Sequence, residues 1–210
     1  MKNSLKIIDK IKSVFSDLDN QSLRDRFVIT QLKKIPPSSL ILDAGCGNQL
    51  YRAHCSHLDY KSQDFGKYTT DLKKMMKNDG VGGLSGYKYG EIDYISDIWD
   101  INEKDNTFDV ILCTEVFEHI PYPIETIKEF SRLLKKNGKL ILTAPGNSLR
   151  HMDPFFFYTG FTDRWYEKFL CENGFKLESI DAIGDYYSWM AVETGKTAVS
   201  NSLFAKLALF

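Results

Sequence analysis

The sequence has no C-x-x-C pair: its four cysteines, Cys46, Cys55, Cys113 and Cys171, are scattered along the chain. That spacing argues against a zinc knuckle or a disulfide framework, and reduced thiols in a cytoplasmic compartment are the expectation. No stretch approaches the roughly 18 apolar residues of a transmembrane helix. The N-terminus alternates lysines (Lys2, Lys6, Lys10, Lys12) with apolar residues and lacks a continuous apolar segment, so it does not read as a secretory signal. Charge of one sign is missing too. Twenty-seven Lys and Arg against 28 Asp and Glu leave a formal net charge of −1, with no bulk attraction toward nucleic acid or an anionic membrane. No internal repeat is present.

What remains is an ordinary globular composition, 43% apolar over 210 residues, enough for one domain with a substantial core. Leu5, Ile8, Ile11, Phe15 and Leu18 recur at three- and four-residue steps and predict an amphipathic helix over 3–18. A second helix is expected over 22–34, stopped by Pro36 and Pro37. These form an N-terminal helical extension, residues 1–38. The main domain is read as 39–194. A C-terminal tail, 195–210, has an apolar end at 203–210 that is expected to dock on the body or on a partner such as a second copy, with a membrane-surface foot as the alternative.

Within the main domain, short strands are expected at 40–42, 60–64, 92–96, 108–113 and 140–143. A short helix is expected at 51–55, and a strong one opens at Pro123 with Ile124, Ile127, Phe130, Leu133 and Leu134 on one face. Lys135 and Lys136 are placed in its last turn and Gly138 past its end. Residues 66–90 are glycine-rich and read as a long surface excursion. A helix over 163–172 is followed by strands near 177–183 and 187–192, expected to complete an antiparallel edge. Strands alternating with helices imply an α/β, doubly wound, mostly parallel sheet covered on both faces.

In such sheets ligands bind at the carboxyl ends of the strands. Three strand ends carry suitable residues in order. The first is Asp43-Ala44-Gly45-Cys46-Gly47, where two glycines allow a sharp turn and close approach to a ligand. The second is Asp64, able to accept hydrogen bonds from both hydroxyls of a ribose. The third is Asp97, whose carboxylate can accept from an exocyclic amine while the Ile98 amide meets a ring nitrogen.

With these residues in order, the chain resembles the class I S-adenosylmethionine-dependent methyltransferases, in the group that includes ubiquinone-pathway O-methyltransferases. The resemblance spans roughly residues 39–183. It implies a Rossmann-like sheet of seven strands with one antiparallel edge strand, and S-adenosylmethionine as cofactor. It also implies that Asp43, Ala44, Gly45, Cys46 and Gly47 hold its methionine portion, Asp64 the ribose, and Asp97 with Ile98 the adenine. The run from Phe108 to His119, with Thr114 at the cofactor, is similar to the family's fourth-strand signature, and the run from Leu133 to Leu140 to its helix-to-strand block. The chain departs from the pattern at Gln49, where the family often has a third glycine.

Two rivals fail on one residue each. A nicotinamide dinucleotide fingerprint needs glycine where Leu50 stands, and a phosphate loop before Gly195-Lys196-Thr197 needs glycine at Met190. A second constellation, Glu115, Glu118 and His119, has spacing that shares one face of a helical turn. It resembles a divalent-metal site of some ubiquinone-pathway and small-RNA 2′-O-methyltransferases, to which His151 would add a ligand. Acidic residues also favour a helix N-terminus without any metal, and the metal-free arrangement is the expectation, with His151 or His119 as general base. Phe155, Phe156, Phe157 and Tyr158 would floor an acceptor pocket, form a lid, or fill the core. The expected reaction is O-methylation of a small molecule or glycan. A small-RNA methyltransferase and an inactive cofactor-binding scaffold are the alternatives.

Overall fold

The computed structural model describes residues 20–67 and 89–199. The helix expected over 3–18, most of the 66–90 excursion and the apolar stretch 203–210 lie outside the described residues. The described chain opens with helix α1 (Asn20–Leu32), followed by strand β1 (Leu40–Ala44) and a 3-10 turn (Arg52–Cys55). Strands β2 (Asp59–Asp64), β3 (Tyr94–Ile95) and β4 (Phe108–Thr114) come next. Then follow a 3-10 turn (Phe117–His119), helix α2 (Pro123–Leu133), strand β5 (Leu134–Thr143), and helices α3 (Asp163–Glu172) and α4 (Tyr186–Val199).

All five strands are parallel, in the order β3-β2-β1-β4-β5. The order reverses between β1 and β4, which opens a crevice outside the carboxyl ends of those strands. Side chains alternate across the sheet. From β1, Leu42 and Ala44 point to the layer built on Ile127, Phe130 and Leu133 of α2 and Leu170 of α3. Ile41 points the other way, onto Val28 and Leu32 of α1 and onto Tyr51 and Cys55. Each large apolar side chain so buried contributes roughly 1.5–3 kcal/mol. The sheet is therefore covered on both faces, as the alternation of elements implies.

Three expectations need correction. The described residues contain five parallel strands, not seven with an antiparallel edge. Residues 177–183 form no strand, and 187–192 lie inside α4. The aromatic residues Tyr186, Tyr187 and Trp189 favour strand by propensity, but Asp185 starts a helix instead. Its carboxylate accepts from the Ser188 amide at 2.8 Å and the Ser188 hydroxyl at 2.9 Å, as an N-cap residue does. Finally, α2 stops at Leu133, so Lys135 and Lys136 are not in its last turn. Leu134 is already extended and pairs with Phe108; pairing resumes at Val110 and Lys139 after an irregularity. Asn137 turns within it at φ +65°, and Lys135 Nζ reaches the Asp109 carboxylate at 2.8 Å. No described helix is long and apolar enough to cross a membrane.

Candidate functional site

The crevice at the strand ends holds a cavity of about 530 Å³, within the range of small-molecule sites. Asp43, Gly45, Cys46 and Gly47 line it from β1 and the loop beyond. Asp64 enters from β2, Asp97 and Ile98 from the turn after β3, and Thr114 from the end of β4. Ala44 is fully buried and packs beneath this surface with Leu42.

The loop after β1 takes its shape from glycine. Gly45 sits at φ +72°, and a Cβ there would lie 2.5 Å from Val116 Cγ2. Its amide donates to the Gln63 backbone carbonyl at 2.9 Å and to Gln63 Oε1 at 3.0 Å. The Gln63 side chain in turn donates to the Ser96 carbonyl at 2.7 Å, tying the loop to the end of β3. Gly47, also left-handed at φ +53°, donates its amide to Asp64 Oδ2 at 3.0 Å. Asp64 Oδ1 accepts from the Gly66 amide at 3.0 Å and the Tyr89 hydroxyl at 3.1 Å. Burial raises the Asp64 pKa, with those backbone donors opposing the rise.

Asp43 is the most deeply placed carboxylate of the cavity wall. Ile41 stands opposite Tyr60 in the β1–β2 register, which puts Asp43 and Tyr60 on one face of the sheet. The Tyr60 hydroxyl donates to Asp43 Oδ2 at 2.6 Å. Burial pushes the Asp43 pKa up to about 7, with the Tyr60 hydrogen bond opposing it and the Asp64 charge adding to it. Asp97 is partly exposed and receives Lys67 Nζ at 3.4 Å.

Arg24, on α1, is a cavity residue that sequence reasoning missed. Its guanidinium pairs with Glu115 Oε2 at 2.9 Å, and the Thr143 hydroxyl donates to Glu115 Oε1 at 3.0 Å. Glu115 adopts φ +53°, a sparsely populated conformation for a non-glycine residue, and its amide is held by the Thr143 carbonyl at 2.9 Å. No local pattern within 22–34 distinguishes Arg24; only the packing of α1 across the sheet brings it here.

Of the four expected metal-ligating residues, three come together. Ligand atoms of Glu118, His119 and His151 lie within 4.8 Å of one another, while the Glu115 carboxylate is directed to Arg24 and Thr143. His119 Nδ1 is 2.6 Å from the Phe155 carbonyl and His151 Nδ1 is 2.9 Å from the Leu149 carbonyl. A carbonyl only accepts, so Nδ1 is the donor nitrogen of each ring in these contacts. The rings meet edge to face at 4.9 Å, and His119 Nε2 lies 3.6 Å from Glu118 Oε1. Burial lowers the His119 pKa to about 4, with His151 adding to the effect. His119 lines the cavity.

The aromatic run divides its duties. Phe155 and Phe157 line the cavity, with Phe155 edge-on to Phe65 at 5.1 Å. Phe156 packs on the His151 ring at 4.9 Å, and the Tyr158 hydroxyl donates to the Pro121 carbonyl at 3.2 Å. Trp99, which also faces the cavity, is another residue the sequence did not single out.

The methyltransferase domain family matches residues 17–174, three quarters of the chain. The chain belongs to that family, and so to the class I S-adenosylmethionine-dependent methyltransferases. This methyltransferase domain is 31% identical over 106 residues to the ubiquinone biosynthesis O-methyltransferase of Xanthomonas oryzae pv. oryzae, covering 49% of this chain and 41% of that protein. It spans about two fifths of the length of the curated relatives it matches first. Among solved structures, the Haemonchus contortus phosphoethanolamine N-methyltransferase 2 in complex with S-adenosylmethionine aligns at a TM-score of 0.54. Identity there is 17%, over 91% of this chain and 44% of that one. The [4+2]-cyclase SpnF aligns at 0.56 with 16% identity, over 88% and 70% of the two chains. These likenesses establish the fold; a cyclase among them shows that the fold alone does not choose the reaction.

Proposed function

We propose that this methyltransferase domain transfers the methyl group of S-adenosylmethionine to a hydroxyl oxygen of a small, largely apolar acceptor. The observation that carries the reading is the arrangement around one cavity of the Gly45–Gly47 turn, the ribose-competent Asp64 and the Asp97–Ile98 turn. Asp64 would accept from the ribose hydroxyls, Asp97 and the Ile98 amide would meet the adenine, and the loop from Asp43 to Gly47 would hold the methionine portion. Arg24 lines the same cavity and, beyond its pairing with Glu115, would offer its remaining N–H groups to the methionine carboxylate. Bound there, S-adenosylmethionine would supply an already activated sulfonium methyl group.

The protein's own work is then to orient the acceptor and exclude water, which in well-aligned systems is worth roughly 7–11 kcal/mol. Trp99, Phe65, Phe155 and Phe157 give the remaining wall an aromatic character that favours a planar or apolar acceptor over a glycan. Removing the hydroxyl proton falls to the histidine pair. His119 lines the cavity and burial makes it a weak base; His151 is not among the lining residues and stands behind it, ring to ring at 4.9 Å.

A second reading, in which Glu118, His119 and His151 hold a divalent metal, is favoured by one feature. The His119 Nε2 lone pair faces a Glu118 carboxylate oxygen at 3.6 Å. A bound cation between them would remove the repulsion between two acceptors. Nδ1 protons fixed on backbone carbonyls are also how metal-ligating histidines are oriented. Two imidazoles and a carboxylate suit manganese, iron, cobalt or zinc better than magnesium. Such an ion would act as a Lewis acid toward the acceptor hydroxyl.

Both readings are tested by supplying isotopically labelled S-adenosylmethionine with phenols, saccharides and a metabolite extract, with and without chelator, and identifying labelled products by mass spectrometry. Labelled methyl ethers of apolar hydroxyl compounds, unaffected by chelator, are expected for the metal-free enzyme. Loss of activity in chelator, restored by manganese or cobalt, would establish the metal instead. Label appearing solely on nitrogen would refute oxygen transfer. Tight cofactor binding with no transfer to any acceptor would indicate an inactive cofactor-binding protein.

A further inference from the structure

Gln49 stands where the family often has glycine, and its backbone keeps a left-handed φ of +58°. The side chain is buried, and both ends of its amide are used. Nε2 donates to the Glu91 carbonyl at 2.6 Å, and Oε1 accepts from Arg52 at 2.7 Å. The amide lies flat against Gly90, where an added Cβ would stand 2.7–2.9 Å from its three end atoms. The Ser62 hydroxyl adds a second donor to the Glu91 carbonyl at 3.1 Å. Residues 90 and 91 are thus clasped to the glycine loop by a side chain that a third glycine would not possess.

The residue before this clasp is Tyr89, and its hydroxyl donates to Asp64 Oδ1 at 3.1 Å. A carboxylate offers about four lone-pair positions. The Gly47, Gly66 and Phe65 amides and the Tyr89 hydroxyl already surround the Asp64 carboxylate. A ribose diol presents two donors. It can reach Asp64 only where a present donor gives way, and the Tyr89 hydroxyl is the one of the four that belongs to a side chain and not to the backbone beside the carboxylate.

We propose that Gln49 is a positioning residue that clasps residues 90 and 91 to the glycine loop and so seats the Tyr89 hydroxyl on Asp64, from which the cofactor's ribose must displace it. This rests on the reading that the ribose meets Asp64. Tyr89 then sets the affinity for the cofactor by competing with it, and Gln49 sets how strongly Tyr89 competes. Exchange of one hydroxyl donor for another at a carboxylate weakens cofactor binding by about two- to tenfold relative to a site without the competitor.

The test compares S-adenosylhomocysteine with its 2′,3′-dideoxy counterpart by calorimetry, in the wild type, Tyr89→Phe, Gln49→Gly and the double variant. Tyr89→Phe is expected to tighten S-adenosylhomocysteine about two- to tenfold and to leave the dideoxy ligand unchanged, since that ligand has no hydroxyl to place on Asp64. Gln49→Gly, which suits the left-handed backbone, is expected to act in the same direction and to add nothing once Tyr89→Phe is present. Should Gln49→Gly fail to fold, Gly90→Ala displaces the same side chain from the other side. A Tyr89→Phe variant that binds S-adenosylhomocysteine no tighter than the wild type, or that shifts both ligands alike, overturns the proposal and leaves the cofactor reading standing. A wild type that binds neither ligand withdraws the cofactor reading, and the proposal with it.

Discussion

Asp43 makes the sharpest prediction, because its carboxyl is poised near neutrality at the wall of a site meant for a cation. Burial holds its pKa at about 7, against the pull of the Tyr60 hydroxyl. S-adenosylmethionine carries a sulfonium charge, so its binding favours the ionised carboxylate and draws the pKa down. The free protein is then about ten parts protonated to one ionised at pH 6, and the reverse at pH 8. If the bound form stays ionised across that range, affinity rises about tenfold from pH 6 to pH 8, or roughly 1.4 kcal/mol. Folding stability moves the opposite way. A carboxyl raised from about 3.9 in the unfolded chain contributes stability that is fully present below pH 4 and is lost as pH rises through 7. Calorimetry from pH 6 to pH 8 on the wild type and on Asp43→Asn gives the measurement. The variant carries every other titration, the ligand's included, so the difference between the two profiles belongs to Asp43. S-adenosylhomocysteine, without the sulfonium, should show a weaker slope. Parallel profiles for wild type and variant would refute the assignment of Asp43 as the titrating group that meets the cofactor.

Two substitutions probe the neighbouring strand ends. Asp64→Ala should weaken cofactor binding by roughly 1.5–3 kcal/mol, about ten- to a hundredfold, through loss of hydrogen bonds to a charged acceptor; an unchanged dissociation constant with a normal circular dichroism spectrum removes Asp64 from the site. Gly45→Ala combines left-handed strain with a collision against Val116, and should lower stability by about 2–5 kcal/mol. A urea midpoint equal to that of the wild type would show that the loop relaxes freely.

Much of this site was legible because its parts are local in sequence. A strand ending in Asp43-Ala44-Gly45-Cys46-Gly47 specifies its own turn, and Asp64 and Asp97 each follow a short run whose pattern marks the strand end. The residues that the sequence hid come from elsewhere. Arg24 reaches Glu115 from a helix more than ninety positions upstream, and it diverts that glutamate from the cluster its spacing suggests. Tyr89 meets Asp64 across 25 residues, a contact no periodicity could signal. Gln49 was visible as a departure from the glycine pattern, but its partner Glu91 was not. The edge of the fold misled for a different reason: aromatic residues at 186–189 favour strand locally, whereas one aspartate capping the Ser188 amide and hydroxyl decides for helix. At the end of α2, Leu133 and Leu134 continue the helical periodicity on paper, yet pairing with Phe108 takes Leu134 into β5.

The central claim is that this cavity is built for S-adenosylmethionine, and direct calorimetric titration tests it. Dissociation constants in roughly the micromolar range, near −8 kcal/mol, are expected for S-adenosylmethionine and S-adenosylhomocysteine, with no measurable heat from nicotinamide dinucleotides. Tight dinucleotide binding with none for either sulfur ligand would contradict the account.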